Sequence, residues 1–525
     1  MKPISILNHV LGPVMRGPSS SHTAGAFHIG SMARSILGGT PSKASLSFDP
    51  DGSYAATYEP QGADRGFAMG LMDKPLTDKS FFTALTDAQE SGLDIDFQVR
   101  PLVDASHPNI TDLQLTSPSG TPLHLVARSI GGGSVEITHI NDRPVLFDGT
   151  CYEILAEVPP EHALAAHQLL TDSGVIGSPE ELSNNGSVSW KVSRTEPLRS
   201  EVRGKIKALS SNINLWESNP VYFVKRGEPL FNSSAEMVQL AEEQKSSLGE
   251  IALAHECQLL GLSEADVIKE MLYRYDIMVD SVEKGLDPNH TGLRLLPSCA
   301  GSIFQAEAEG RLSVRSLNTR AAARALAVMH VDGSMGVVCA APTGGSAGVI
   351  PGALVTLAEE KELSREQIAK ALLAAGSIGM ILAIRGTFAA EVAGCQVEIG
   401  ASGAMAAAAI VDAVGGSAKQ ASDAAAIGFQ NTMGTVCDLL HGMVEIPCHT
   451  RNGAAAANAF VNADLVLGGY TNYIPLDETI DAVYAVGLAM PKELRCTSKG
   501  GLAVTPSALA LKPGSCCGSG CSSCG

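Results

Sequence analysis

Residues 394–414 read GCQVEIGASGAMAAAAIVDAV, and this stretch decides the fold class. Gly394 to Gly403 (GCQVEIGASG) has the small and polar texture of a loop and holds Cys395. From Met405 to Val414 the chain turns alanine-rich, with small residues on several helical faces, a pattern that permits close helix packing and deep burial. The same texture recurs at Ala421 to Phe429, while Ser234 to Leu259 and Arg365 to Leu382 show helical periodicity and few β-branched residues. Residues 198–510 are therefore expected to form a mostly helical domain whose tightly packed bundle presents loops.

The first part of the chain has another texture. Strand-like runs end in turn signals, as at Ala44 to Phe48 before Asp49-Pro50-Asp51-Gly52 and at Leu123 to Ala127 before Gly131-Gly132-Gly133. Residues 1–150 read as an α/β domain. A strand at Glu153 to Val158, a helix at Glu161 to Asp172 and a strand at Val188 to Val192 suggest a small β-α-β insert or linker over 151–197. Residues 511–525 form a Cys-rich tail without an apolar anchor, expected to be flexible. The fold class is thus α+β and multidomain.

A chain of 525 residues, 45% of them hydrophobic, can bury a large core. Its 37 basic and 55 acidic residues give a net charge of -18, which disfavours nucleic acid and anionic membrane surfaces and points to a small-molecule function. The first twenty residues lack a secretory pattern and the apolar stretches are short and interrupted, so a cytoplasmic protein without a membrane span is expected. Twelve cysteines in that setting read as thiols or metal ligands rather than disulfides. An alanine-rich helical half of this size suggests a homodimer.

Three cysteines stand in loop-like settings: Gly394-Cys395-Gln396, Val436-Cys437-Asp438 and Pro447-Cys448-His449. Three thiolates can hold an iron-sulfur cluster and leave one iron open to a substrate oxygen. Their spacing alone also suits three buried cysteines that serve as small hydrophobes, since no two form a C-x-x-C pair. Other loops concentrate polar groups. Gly344-Gly345-Ser346-Ala347-Gly348 offers backbone amides to a carboxylate or phosphate, yet matches neither a Walker loop nor a dinucleotide fingerprint. Gly17 to Gly25 (GPSSSHTAG) packs three serines, a histidine and a threonine ahead of a helical run, and reads either as a helix cap or as a pocket for a small polar substrate. His22 is a proton carrier or an anchor there.

Taken together these motifs resemble the iron-sulfur-dependent L-serine dehydratases (L-serine ammonia-lyases), with the family's β and α parts in one polypeptide. GPSSSHTAG, His107-Pro108-Asn109 and Ser129-Ile130-Gly131-Gly132-Gly133 resemble the β part; Ala341 to Gly352 (APTGGSAGVIPG), Gly394 to Gly400 (GCQVEIG) and Ile446 to Gly453 (IPCHTRNG) resemble the α part. The resemblance implies that Cys395, Cys437 and Cys448 ligate a 4Fe-4S cluster acting as a Lewis acid on the β-hydroxyl, and that L-serine yields pyruvate and ammonia. A base must also remove the α-proton; His22, His107 and a hydroxyl such as Ser20 are the candidates. Substrate contacts are expected from Ser19, Ser21, Thr23 and Asn109, from Thr343, Gly344, Gly345 and Ser346, and from Arg451 and Asn452, the last two also placed to offset cluster charge.

The chain departs from the family pattern at Gln61-Gly62-Ala63-Asp64, where a histidine commonly opens the run, and at Pro342-Thr343-Gly344-Gly345, where asparagine is common in the third place. L-cysteine or L-threonine therefore stands beside L-serine as substrate. In some family members a C-terminal cysteine occupies the open iron, a role Cys524 or Cys521 could take here. Cys151 and Cys257 read as core residues, and Cys299, Cys339 and Cys496 as neighbours of the site rather than ligands. A non-catalytic amino-acid or metal-binding protein is the rival from another class. Pyridoxal phosphate is disfavoured because no lysine stands in a suitable loop.

Overall fold

The structure, a computed structural model, describes residues 3–103, 105–182 and 188–514. Helix Ile399–Ala413 is the axis of the second half, buried along its length from Ile399 to Asp412. Around it pack Val349–Lys361, Arg365–Arg385, Ala418–Thr432 and Cys448–Leu467. Small residues let the axes approach: a Cβ on Gly428 would lie 3.0 Å from the Ala404 Cα. The same crowding explains why this helix begins within the stretch expected as a loop. A Cβ on Gly400 would meet the Thr432 hydroxyl at 2.6 Å, so that glycine serves helix packing rather than a turn.

The expected helix over Ser234 to Leu259 is two, Ser234–Gln244 and Leu248–Leu260. Lys245 at φ 54° ends the first, and a capping box between Ser247 and Glu250 starts the second. Arg365–Arg385 is long and apolar enough to cross a bilayer, but 78% of its apolar window is buried against other parts of the chain.

The N-terminal half is built on a six-stranded sheet in the spatial order Asp94–Val99, Lys43–Phe48, Ile110–Thr116, Pro122–Gly131, Ser134–Ile140, Arg143–Phe147. Only the first pair is parallel. Alternate residues of Pro122–Gly131 are buried, as the period of two requires, and helices Gly25–Leu37 and Ala63–Leu71 share that core. A separate four-stranded antiparallel sheet follows, in the order Asn214–Ser218, Tyr152–Val158, Val188–Arg194, Ile176–Glu181, packed with helices Ala163–Asp172 and Ser200–Leu209. This is a β-α-β-β-α-β arrangement. The β-α-β reading of 151–197 misses Ile176–Glu181, whose residues are exposed except for the half-buried Pro179 and do not alternate, and the closing strand beyond Ser200–Leu209.

The first residues of the chain belong to the helical core, not to the sheet. Ile4, Ile6, Leu7, Val10, Leu11 and Met15 are buried there, and strand Val14–Arg16 pairs antiparallel with Val337–Cys339. The buried Glu256 carboxylate accepts from the Ile6 and Leu7 N–H groups, each at 2.9 Å, and from the Ser5 hydroxyl. Glu256→Ala would strand these donors out of water, at a cost of about 3 kcal/mol or more. The expected result is a lower urea midpoint; an unchanged midpoint would show that this carboxylate does not anchor the segment.

Candidate active site

Pairing of Val14–Arg16 with Val337–Cys339 delivers the next residues, Gly17 to Gly25, against the glycine loop that follows Cys339. The two loops touch: the Gly344 N–H donates to Ser20 Oγ at 3.3 Å, and a Cβ on Gly344 would lie 3.0 Å from the Pro18 carbonyl oxygen. Ser20 to Ala24 form a π-type turn leading into helix Gly25–Leu37, and Ser19 caps it by accepting from the His22 N–H at 3.2 Å.

Where these loops meet the helical half lies a narrow cavity. Ser19 and Gln61 enter it from the sheet side; Gly345, Glu391, Glu398, Cys395, Cys437, Cys448 and Cys496 enter from the helical side. The three cysteines arrive on different elements. Cys395 opens a short 3-10 turn, Cys437 stands in an extended segment, and Cys448 is the first residue of helix Cys448–Leu467, where the helix dipole favours thiolate. The thiols of Cys395 and Cys437 and the Glu398 carboxyl offer ligand atoms within 4.8 Å of one another.

The electrostatics suit a bound cation. The hydrogen bond with Cys437 and burial hold the Cys395 thiol well above its ordinary range. Burial, with the nearby Cys395, does the same to Cys448. Cys437 is lowered by its bond with Cys395, but its bond with Cys496 and burial win and raise it. Burial lifts the Glu398 carboxyl to about 8, with Glu391 adding to the rise. Arg451 is a cation in electrostatic reach of Cys395 and Cys448. A set of buried sulfur donors with so little compensating charge fits a soft, thiolate-binding metal group.

On the sheet side His22 is fully buried between defined partners. Its Nδ1 faces Ser19 Oγ at 3.0 Å and Glu391 Oε1 at 3.5 Å, and its Nε2 faces Ser53 Oγ at 3.0 Å. Burial pushes the imidazole below its ordinary range, against the pull of Glu391, so the neutral ring dominates at neutral pH. Gln61 is held by Thr23, whose hydroxyl donates to the Gln61 carbonyl at 2.6 Å; its Nε2 donates to Gly442 O, leaving a buried Oε1 without a partner among the described residues. Glu391 Oε2 and both amide atoms of Asn109 are likewise buried and unpartnered. Such groups cluster where a polar ligand is received.

Other expected site residues hold the architecture. Asn452 donates from Nδ2 to the Gly345 and Cys448 carbonyls, each at 2.9 Å, and accepts from Gly348 N–H, so its amide hydrogens are spent on fixing the glycine loop to the cysteine helix. Arg451 pairs with Asp438 at 2.9 Å and donates to Val436 O, tying the Cys437 segment to the same helix. Thr343 Oγ1 and Ser346 Oγ face each other at 3.0 Å inside the loop's own cap, and Gly345 is the loop residue that reaches the cavity. Ser21 presents its carbonyl to the Tyr54 hydroxyl. His107, pushed down to about 4 by burial, accepts from Asn109 N–H at Nδ1 and stands in the field of Glu391. Cys521 and Cys524 lie outside the described residues.

Sequence reading missed Glu391, Glu398 and Asp332. Asp332 is buried behind Gly17, with burial raising its carboxyl well above the ordinary range. Glu391 stands four residues before Cys395, and Glu398 lies within the GCQVEIG run itself, a placement that could have marked it.

The family described as "Serine dehydratase alpha chain" matches residues 234–503, the region that supplies all the cavity's cysteines. The chain belongs to that family. Residues 1–233 precede the match, so an alpha-chain region is joined in one polypeptide to the sheet-bearing half. Among relatives, the "Probable L-serine dehydratase, alpha chain" of Bacillus subtilis is 36% identical over 288 residues, covering 54% of this chain and 94% of that one. The "L-serine dehydratase, alpha chain" of Peptoniphilus asaccharolyticus is 34% identical over 275 residues, covering 52% and 94%. The "L-serine dehydratase" of Streptomyces coelicolor is 31% identical over 285 residues, covering 52% and 61%.

Proposed function

We propose that this protein is an L-serine ammonia-lyase, converting L-serine to pyruvate and ammonia with a 4Fe-4S cluster held by Cys395, Cys437 and Cys448. The reading rests above all on one observation: three cysteines from separate elements share a cavity with Ser19 and Gln61 of the other half. The names of the relatives point to the same substrate. When bound, the cluster supplies a Lewis acid that makes hydroxide a leaving group.

The protein's own groups supply the rest. The substrate ammonium finds Glu391 Oε2 and Gln61 Oε1, both buried acceptors at the cavity wall. The glycine loop offers the main-chain amide of Gly345, its residue at the cavity wall, to the carboxylate. Ser19 faces the cavity with its hydroxyl on His22 Nδ1, so Ser19 passes its proton to the neutral imidazole as it takes the α-proton, and Glu391 stabilises the imidazolium. Of the three candidate bases, His22 with its relay through Ser19 is favoured: Ser20 Oγ is occupied by Gly344 N–H and His107 Nδ1 by Asn109 N–H. The departing hydroxide takes up the proton gained by the Ser19–His22 pair, so elimination releases 2-aminoacrylate and water and restores both side chains; the enamine tautomerises and hydrolyses to pyruvate and ammonia.

The test is an anaerobic substrate panel on the reconstituted protein, following 2-oxo acid release from L-serine, L-threonine and L-cysteine. L-serine is expected to give the highest kcat/KM. A higher value for L-threonine or L-cysteine would reassign the substrate, and binding without any 2-oxo acid would favour a sensor.

A further inference from the structure

Neutral His22 has one hydrogen to place on two ring nitrogens, and the two sides of the ring compete for it. Nδ1 faces Ser19 Oγ at 3.0 Å and Glu391 Oε1 at 3.5 Å, while Nε2 faces Ser53 Oγ at 3.0 Å. The carboxylate favours the hydrogen on Nδ1, the tautomer in which that nitrogen cannot take a proton from Ser19. Ser19 Oγ already accepts from the His22 N–H at 3.2 Å, which leaves its own hydrogen free to point at Nδ1. Whether Nδ1 keeps a lone pair to receive it is decided at the far side of the ring, by the bond that Nε2 makes.

Ser53 is fixed for that contact. It is buried, its N–H donates to the Pro108 carbonyl at 2.8 Å, and its own carbonyl accepts from the Thr57 hydroxyl at 2.6 Å. A Cβ on Gly52 would lie 2.7 Å from the same Pro108 oxygen, so the segment is seated closely against His107-Pro108-Asn109. The next residue, Tyr54, meets the His22 ring edge-on, with centroids 5.0 Å apart and planes at 75°, and its hydroxyl donates to Ser21 O at 3.2 Å. Ring and hydroxyl are thus held from opposite sides in one geometry.

We propose that Ser53 is a positioning residue for His22: its hydroxyl oxygen accepts the Nε2 hydrogen and so keeps the Nδ1 lone pair turned to Ser19. The inference rests on the lyase reading above, in which Nδ1 takes up the Ser19 proton. Imidazolium keeps the same Nε2–H donor, so Ser53 serves both protonation states without moving.

The test is 15N NMR of the full chain labelled at histidine, at neutral pH before cluster loading, with the His22 resonances assigned by their absence in His22→Gln. Wild type, Ser53→Ala and Ser53→Thr are compared, and kcat and KM for L-serine are measured on the same proteins after anaerobic loading. The expected result is the Nε2–H tautomer in wild type and Ser53→Thr, and the Nδ1–H tautomer in Ser53→Ala, where Glu391 decides. In Ser53→Ala kcat should fall about tenfold, the worth of one neutral hydrogen bond, with KM unchanged and the rate recovered in Ser53→Thr. The Nδ1–H tautomer in wild type would overturn the proposal, as would a tautomer that Ser53→Ala leaves unmoved, whatever the rate does. Should Ser53→Ala fail to fold, Ser53→Cys, whose thiol is a weak acceptor, takes its place. The expected tautomers in a loaded protein that releases no pyruvate would leave the positioning intact and sink the lyase reading instead.

Discussion

Cys395→Ala, Cys437→Ala and Cys448→Ala are each expected to lose pyruvate formation by roughly a thousandfold or more, together with the visible absorbance of the reconstituted protein. Lewis-acid assistance to a poor leaving group is worth several kcal/mol, and about 1.4 kcal/mol corresponds to a factor of ten in rate. Each substitution removes a donor on a separate element: a 3-10 turn, an extended segment and a helix N-terminus. A neighbour on the same element cannot take its place. Cys257→Ala is the control, since that thiol lies half-buried in helix Leu248–Leu260 and does not line the cavity. Iron content, absorbance and initial rate measured on the four variants check the argument. Retained activity in any of the three cavity variants would remove that residue from the ligand set.

His22→Ala is expected to lower kcat by about 10²–10⁴, the usual worth of a positioned proton carrier, while the visible absorbance stays. The split between rate and absorbance separates proton transfer from collapse of the site. His22 stands behind Ser19 and does not line the cavity, so its loss leaves the cysteines in place. Because burial lowers the His22 pKa, the acid limb of kcat/KM should fall below the ordinary histidine range. Glu391→Gln should then raise the KM for L-serine, since it halves the acceptor capacity offered to the ammonium, and should shift the acid limb lower by removing the charge that favours imidazolium. An unchanged rate in His22→Ala would move the base to His107 or Ser20.

The sequence carried the fold where side-chain pattern and packing agree. Alanine on several faces of Met405 to Val414 does mark a wholly buried helix, and alternation in Leu123 to Ala127 does mark a strand. It misled where one residue type serves two ends: the glycines of GCQVEIGASG read as a loop, whereas Gly400 lies inside a helix crowded by Thr432. Strand Ile176–Glu181, exposed and without alternation, left no pattern to find.

For the site, the motif loops were legible and their division of labour was not. Asn452 and Arg451 follow a cavity cysteine and look like substrate ligands, yet main-chain carbonyls and Asp438 claim them. Cys299, Cys339 and Cys496 all read as neighbours of the site, yet of these only Cys496, bonded through its main chain to residue 437, lines the cavity. Burial and partner choice, which depend on segments distant in sequence, decide these roles.

The measurement that bears most directly on the account compares the protein before and after anaerobic loading with iron and sulfide, recording the visible spectrum and the pyruvate released from L-serine in the same sample. The metal-free protein is expected to release no pyruvate, and the rate to rise in proportion to bound cluster. Equal pyruvate formation with and without the cluster, or a fully loaded protein that releases none, would contradict it.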